Sequence, residues 1–163
     1  MSKDKITKHF KATLSQYHSN QMAETIKRGM LNRAKSGYAI TRPPLGYSTT
    51  ETPGLYQLDS NGRSARSALQ PLAKGEANLG TVVAYSEMFY HVMTGIEHSG
   101  TTWIERIVSN PYYCGYISYD GQLYPGLHKP LITVDEQRTL AEILNKHNKN
   151  NSLKPFDRAL QSH

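Results

Sequence analysis

From residue 5 to residue 35 the chain contains no proline and a single glycine, Gly29. Ile6, Phe10, Leu14 and Tyr17 recur inside that run at helical spacing, which predicts one long α-helix. At about 1.5 Å per residue such a helix reaches on the order of 45 Å, more than a compact domain of this size needs. Part of it must project into solvent or pair with another chain. The apolar stripe also changes phase, because Met22, Ile26 and Met30 repeat every four residues on a face rotated from that of Phe10 and Leu14. A stutter near Ser19-Asn20, or two successive partners, would each account for the shift.

Ser36-Gly37 supplies the helix stop, and Arg42-Pro43-Pro44 then holds the backbone extended, since proline fixes its own φ and pushes its predecessor out of the helical region. A stiff connector with no contacts of its own is one account of this segment. Arg42 beside two prolines, just after Arg33 and Lys35, favours groove or backbone contact instead. Residues 48–62 are rich in turn formers, with Leu55, Tyr56 and Leu58 as a short extended piece.

Behind this arm the pattern predicts a body of helices followed by a hairpin. Residues 63–73 carry Ala65, Leu69, Leu72 and Ala73 at helical spacing, and residues 79–93 carry a broad apolar surface. A short third helix follows at residues 103–109, with Thr101 as an N-cap candidate. Its Trp103, Ile104, Ile107 and Val108 make one face, while Thr102, Glu105, Arg106 and Ser109 make the other. The polar face has side chains suited to base edges, although plain solvent exposure explains it equally well. Asn110-Pro111 ends that helix, residues 112–119 read as a strand, and Asp120-Gly121 turns it back into Gln122-Leu123-Tyr124. Thr133 caps a last helix from Val134 to about Lys146, and a polar tail completes the chain.

The formal charge of +6 is unevenly placed. Residues 1–47 hold nine Lys or Arg against Asp4 and Glu24, leaving +7 there and −1 on the rest. A polyanion should therefore meet the N-terminal arm first, because clustered cations on phosphates make nucleic-acid binding strong and salt-dependent. A solvated basic face is the plain alternative.

Self-contained chemistry is not evident. GxxxxGK[ST], GxGxxG, HExxH and GxSxG are all absent. A metal site drawn from His91, His98, His128 and Asp135 is outweighed by ordinary solvated or hydrogen-bonded histidines. Cys114 is the lone cysteine, which excludes an internal disulfide and a zinc site built on cysteine pairs. With no apolar run long enough to span a bilayer and no secretory leader, a soluble, cytoplasmic protein is expected, without membrane, small-molecule substrate or cofactor.

The ordered segments IKRGMLNRAKSGY, RPPLGY, WIERIVSNPYYCGYI and YDGQLYPGLHKPLIT resemble the recombinase domain of large serine recombinases, over roughly residues 20–145. In that family a catalytic domain with a nucleophilic serine precedes the long helix, the helix joins subunits, and the recombinase domain binds attachment-site DNA. The resemblance implies a mainly helical α+β fold, with a winged-helix-like domain and its β-hairpin behind a long N-terminal helix. It divides the chain into a long basic helix (1–37), an extended Pro-rich linker (38–57), a recombinase DNA-binding domain (58–147) and a polar tail (148–163). The implied partner is double-stranded DNA, with self-association through the long helix. Charge and family order together nominate Lys27, Arg28, Arg33, Lys35 and Arg42 for phosphates or the minor groove, and Thr102 and Arg106 for the major groove. No catalytic residue is expected here, since the resemblance places the reactive serine in a domain these residues do not match. A winged-helix regulator acting alone, or a helix-mediated assembly module, are the alternatives.

Overall fold

The computed structural model describes residues 3–84, 101–148, 153, 154 and 156, with side chains from residue 7 onward. The first helix, α1, runs Lys3–Lys35 and is 33 residues long, about 50 Å. Nearly all of it stands away from the rest of the chain. Phe10, Leu14, Tyr17, Met22, Ile26 and Met30 are exposed, and only around Leu31 and Ala34 does it sink into other residues. The phase change explains this, because neither apolar stripe is long enough to hold the whole helix against one small core.

Gly37 ends the helix in the left-handed region at φ +79. The Tyr38 amide donates to the Arg33 carbonyl and the Gly37 amide to the Ala34 carbonyl, both at 3.0 Å, the paired bonds of a Schellman motif. A Cβ at Gly37 would lie 2.8 Å from Leu127 Cγ, while the Gly37 carbonyl accepts from the Leu127 amide at 3.0 Å. The helix end is thus sealed against a distant part of the chain.

Residues 38–57, expected as an extended linker, instead fold into the body. Strand β1 (Tyr47–Thr49) pairs antiparallel with β2 (Tyr56–Leu58), with Tyr47 opposite Leu58. Tyr47 is buried in the core, and its hydroxyl donates to the Lys129 carbonyl at 2.8 Å. The strand pairing and the burial of Ala39 and Tyr47 distinguish this segment from a loop, and the burial of Tyr47 involves residues far along the chain.

Helix α2 spans Ser60–Ala73, three residues earlier than the spacing predicts. Asp59 accepts from the Gly62 amide at 2.8 Å and so caps a turn whose residues read as loop sequence. Gly62 is small for a packing reason, because a Cβ there would collide with the Gly46 carbonyl. Helix α3 is described over residues 79–84; the remainder of the expected 79–93 helix, His91, His98 and most of the tail lie outside the described residues.

Helix α4 covers Thr102–Ser109. Pro111–Cys114 form a 3-10 turn where a strand was expected, because Asn110 Oδ1 accepts from the Tyr112 amide at 3.0 Å and Pro111 starts the turn. The hairpin then follows as β3 (Tyr116–Tyr119) and β4 (Gln122–Pro125), with Tyr119 opposite Gln122 and Asp120 at φ 51 in the two-residue turn. Helix α5, Val134–His147, starts at a complete capping box: Glu136 N–H donates to Thr133 Oγ1 at 3.2 Å and Thr133 N–H to Glu136 Oε2 at 2.8 Å.

The described architecture is therefore mainly helical with two small antiparallel hairpins, compatible with an α+β fold. Helices α2, α4 and α5 enclose Leu69, Ile104, Val108, Leu131, Ile132, Leu140 and Leu144, all essentially solvent-free. Gln137 is buried among them and donates from Nε2 to the Val108 carbonyl at 3.0 Å, satisfying the end of α4 from inside the core.

An aromatic cluster joins the arm to this core. The His128 ring stacks on Tyr112 at 3.7 Å with only 2° between planes, and Tyr47 meets both edge-on. His128 Nε2 lies 2.6 Å from the Tyr112 carbonyl, so that nitrogen carries the proton and donates. Burial pushes the His128 pKa below its ordinary value, against the smaller opposing effect of that hydrogen bond.

Two outcomes are expected for the glycines of α1 and its stop. Gly37→Ala should lower stability by about 1–3 kcal/mol through its left-handed backbone. Gly29→Ala, in open space on an exposed helix, should raise α1 helicity by roughly 0.5–1 kcal/mol; thermal melts followed by circular dichroism check both. For His128 the folded state holds fewer protons than the unfolded chain, so stability should fall as pH drops below the ordinary 6.5 towards the lower folded value. Tm measured between about pH 7.5 and 5.5 should fall less in His128→Gln than in the parent.

Candidate nucleic-acid interface

The exposed C-terminal half of α1 carries three of its four Lys and Arg residues on one side. Lys27, Arg28 and Lys35, with Leu31 between them, form one wall of a cleft of about 350 Å³ whose other wall is the β3–β4 hairpin, through Tyr119, Asp120, Gln122 and Tyr124. The helical repeat makes the first wall, since positions 27, 28, 31 and 35 share a face. The second wall is fixed to it: Tyr119 Oη donates to the Lys27 carbonyl at 3.1 Å. Across the cleft the Tyr124 hydroxyl donates to Gln122 Oε1 at 2.6 Å. Three cations thus face one carboxylate and a row of neutral hydrogen-bonding groups, a lining suited to an anionic backbone.

Arg33 does something different. Its Nη2 donates to the Pro53 carbonyl at 2.9 Å, so this cation ties α1 to the turn before β2. Arg42 borders a small cavity of about 120 Å³ with Thr41, Asn110, Tyr112 and Ser118. That places it beside the residue that ends α4 and along the same hairpin whose other side faces Lys27.

In α4 the buried face is Trp103, Ile104, Ile107 and Val108, which leaves Arg106 exposed and Thr102 half-exposed. Glu105 lies between them and accepts from the Thr101 hydroxyl at 2.6 Å, while Ser109 Oγ donates to the Glu105 carbonyl at 2.6 Å. Thr101 makes no side-chain cap, contrary to expectation, because its own backbone is already helical at φ −81, ψ −4 and its hydroxyl is taken by Glu105.

Of the seven nominated residues, Lys27, Arg28 and Lys35 meet in one cleft. Arg42 stands in a neighbouring one, Arg33 is turned to Pro53, and Thr102 and Arg106 lie on α4. Sequence reasoning missed Tyr119, Gln122 and Tyr124; the Asp-Gly turn was the available signal, since it sets which hairpin side chains align. It also could not show that arginines of the body are tied to carbonyls. Arg63 Nη1 donates to Leu58 O at 3.1 Å, and Arg66 Nη1 to Pro130 O and Leu131 O at 3.2 and 3.0 Å.

Other chemistry is sparse. Among the described residues no three His, Cys, Asp or Glu side chains group as a metal site, and no helix is long and apolar enough to cross a membrane. Cys114 is buried, and burial, with the Glu136 carboxylate adding, pushes its thiol up to about 12. It is held in the protonated, unreactive form.

No protein-family model matches the chain, and no curated protein matches it. Solved structures do. A chain of an LSR–DNA complex, LSR being large serine recombinase, superposes with a TM-score of 0.54 at 18% identity, covering 78% of this chain and 39% of that one. A chain from work on the sequence requirements of the Listeria innocua prophage attP site superposes with a TM-score of 0.51 at 18% identity, covering 77% of this chain and 56% of its own. The present chain thus spans 39% and 56% of those two chains, and what it shares with them at this identity is the fold.

Proposed function

We propose that the chain is the DNA-binding portion of a site-specific serine recombinase, recognising attachment-site DNA for strand exchange performed by a catalytic domain outside these residues. One observation carries the reading: the +7 arm displays Lys27, Arg28 and Lys35 in an open cleft, on a fold shared with a chain from a DNA complex. These three cations and Arg42 contact phosphates or the minor groove. In this reading the order α2, α3, α4, hairpin is that of a winged helix, with Thr102 and Arg106 offered to the major groove. Arg33 contributes charge but serves the fold first. No covalent step belongs to this chain; its task is affinity and register.

Fluorescence anisotropy on random and on selected duplexes over a salt series tests this. Replacing Lys27, Arg28 and Lys35 by Ala should reduce the salt slope by roughly 0.9 for each phosphate left without its cation. Arg106→Ala should instead narrow the gap between selected and random duplexes by about 1–3 kcal/mol. An unchanged slope in the triple variant removes the arm from the interface.

The exposed apolar residues of α1 favour a second property, self-association through that helix. Phe10 and Met22 remain 68% and 65% exposed, an unusual amount of apolar surface for one face-changing helix. Sedimentation should show concentration-dependent association that Leu14→Lys with Ile26→Lys abolishes, and a monomer at all concentrations would refute it.

A further inference from the structure

Hydrogen bonds from distant parts of the chain converge on the base of α1 and its exit. Arg33 Nη2 reaches Pro53 O at 2.9 Å, and farther along the chain Ala39 N–H donates to the next carbonyl, Gly54 O, at 2.7 Å. On the other side Tyr119 Oη holds the Lys27 carbonyl at 3.1 Å, and Leu127 N–H holds the Gly37 carbonyl at 3.0 Å. The β1–β2 turn, the β3–β4 hairpin and the Leu127 segment after it therefore hold the end of α1 and the chain leaving it from different directions, at points spread from Lys27 to Ala39. A single attachment would leave the helix free to swing, whereas attachments separated along and around its axis fix its direction.

We propose that this is a rigid joint, with Arg33 and Tyr119 as positioning residues that set the angle of α1 to the body. The distance between the α1 cations and the polar face of α4 is then preset in the free protein. The consequence for recognition rests on the DNA-binding reading above; the joint itself does not. In that consequence, a bound duplex must present its two contacted stretches at one separation, because the protein cannot swing to follow a displaced one. Arg33 acts here through geometry, and its hydrogen bond to a main-chain carbonyl is what Ala removes. Tyr119→Phe keeps the ring in the cleft and removes only the hydroxyl.

The test is a spin-label distance on the full chain, with labels at Ser15→Cys on α1 and Lys74→Cys after α2, while native Cys114 is buried and protonated. The parent should give one narrow distance distribution. Arg33→Ala with Tyr119→Phe should broaden it severalfold while single-tryptophan fluorescence from Trp103 shows the body still folded. A parent distribution already broad, or a double variant that stays narrow, overturns the joint. On duplexes, one inserted base pair between the contacted stretches should weaken parent binding at least tenfold, and the double variant should show a flatter dependence on spacing. Narrow parent distances with no duplex binding would sink the DNA reading and leave the joint standing. Duplex binding with broad parent distances would do the reverse.

Discussion

The close of α1 at Gly37 is the constraint on which the rest of the molecule depends. A helix of about 50 Å has far more length than this body can cover, so its direction must be determined at one end. The left-handed turn at Gly37 redirects the chain within one residue, and the Leu127 amide caps the same residue's carbonyl from the far side of the sequence. A side chain at that position would strike Leu127 and force the two apart. The joint between arm and body thus combines main-chain bonds at Gly37 and Ala39 with the Arg33 and Tyr119 side chains.

Charge follows the same division. The body carries basic residues, but Arg63 and Arg66 donate to carbonyls of the chain and stabilise the connections around β2 and Leu131. The cations of α1 between Lys27 and Lys35 are instead displayed, apart from Arg33. A polyanion meeting this protein therefore finds its attraction concentrated on the arm, beside a hairpin that supplies hydroxyls and an amide. The body contributes a short helix whose polar face mixes Arg106 with Glu105, a combination better suited to discrimination than to raw attraction. On the proposed DNA-binding reading, affinity and selectivity fall to different elements, linked by the proposed joint.

Much of this was legible in the residues, and the exceptions share a cause. The long helix, its stop, the Asp120-Gly121 turn and the Thr133 cap are all specified by local pattern, so the sequence was enough. Strand β1 was missed because its identity comes from Tyr47 reaching Lys129. The start of α2 was missed because Asp59 captures the amide of a glycine that otherwise reads as a breaker. The segment after Asn110 is rich in aromatics like a strand, yet a side-chain cap and Pro111 turn its first four residues into a 3-10 helix. Arg33 was nominated with its neighbours because charge is visible in sequence, whereas a carbonyl acceptor in a distant turn is not.

Amide chemical-shift mapping during titration with a selected duplex tests most directly whether DNA is held by the α1 cleft and the polar face of α4 together, as proposed. The largest perturbations are expected at residues 27–35, 102–109 and 119–124, with Arg63 and Arg66 little changed. Perturbations confined to α5 or to the β1–β2 hairpin, with residues 27–35 silent, would contradict it.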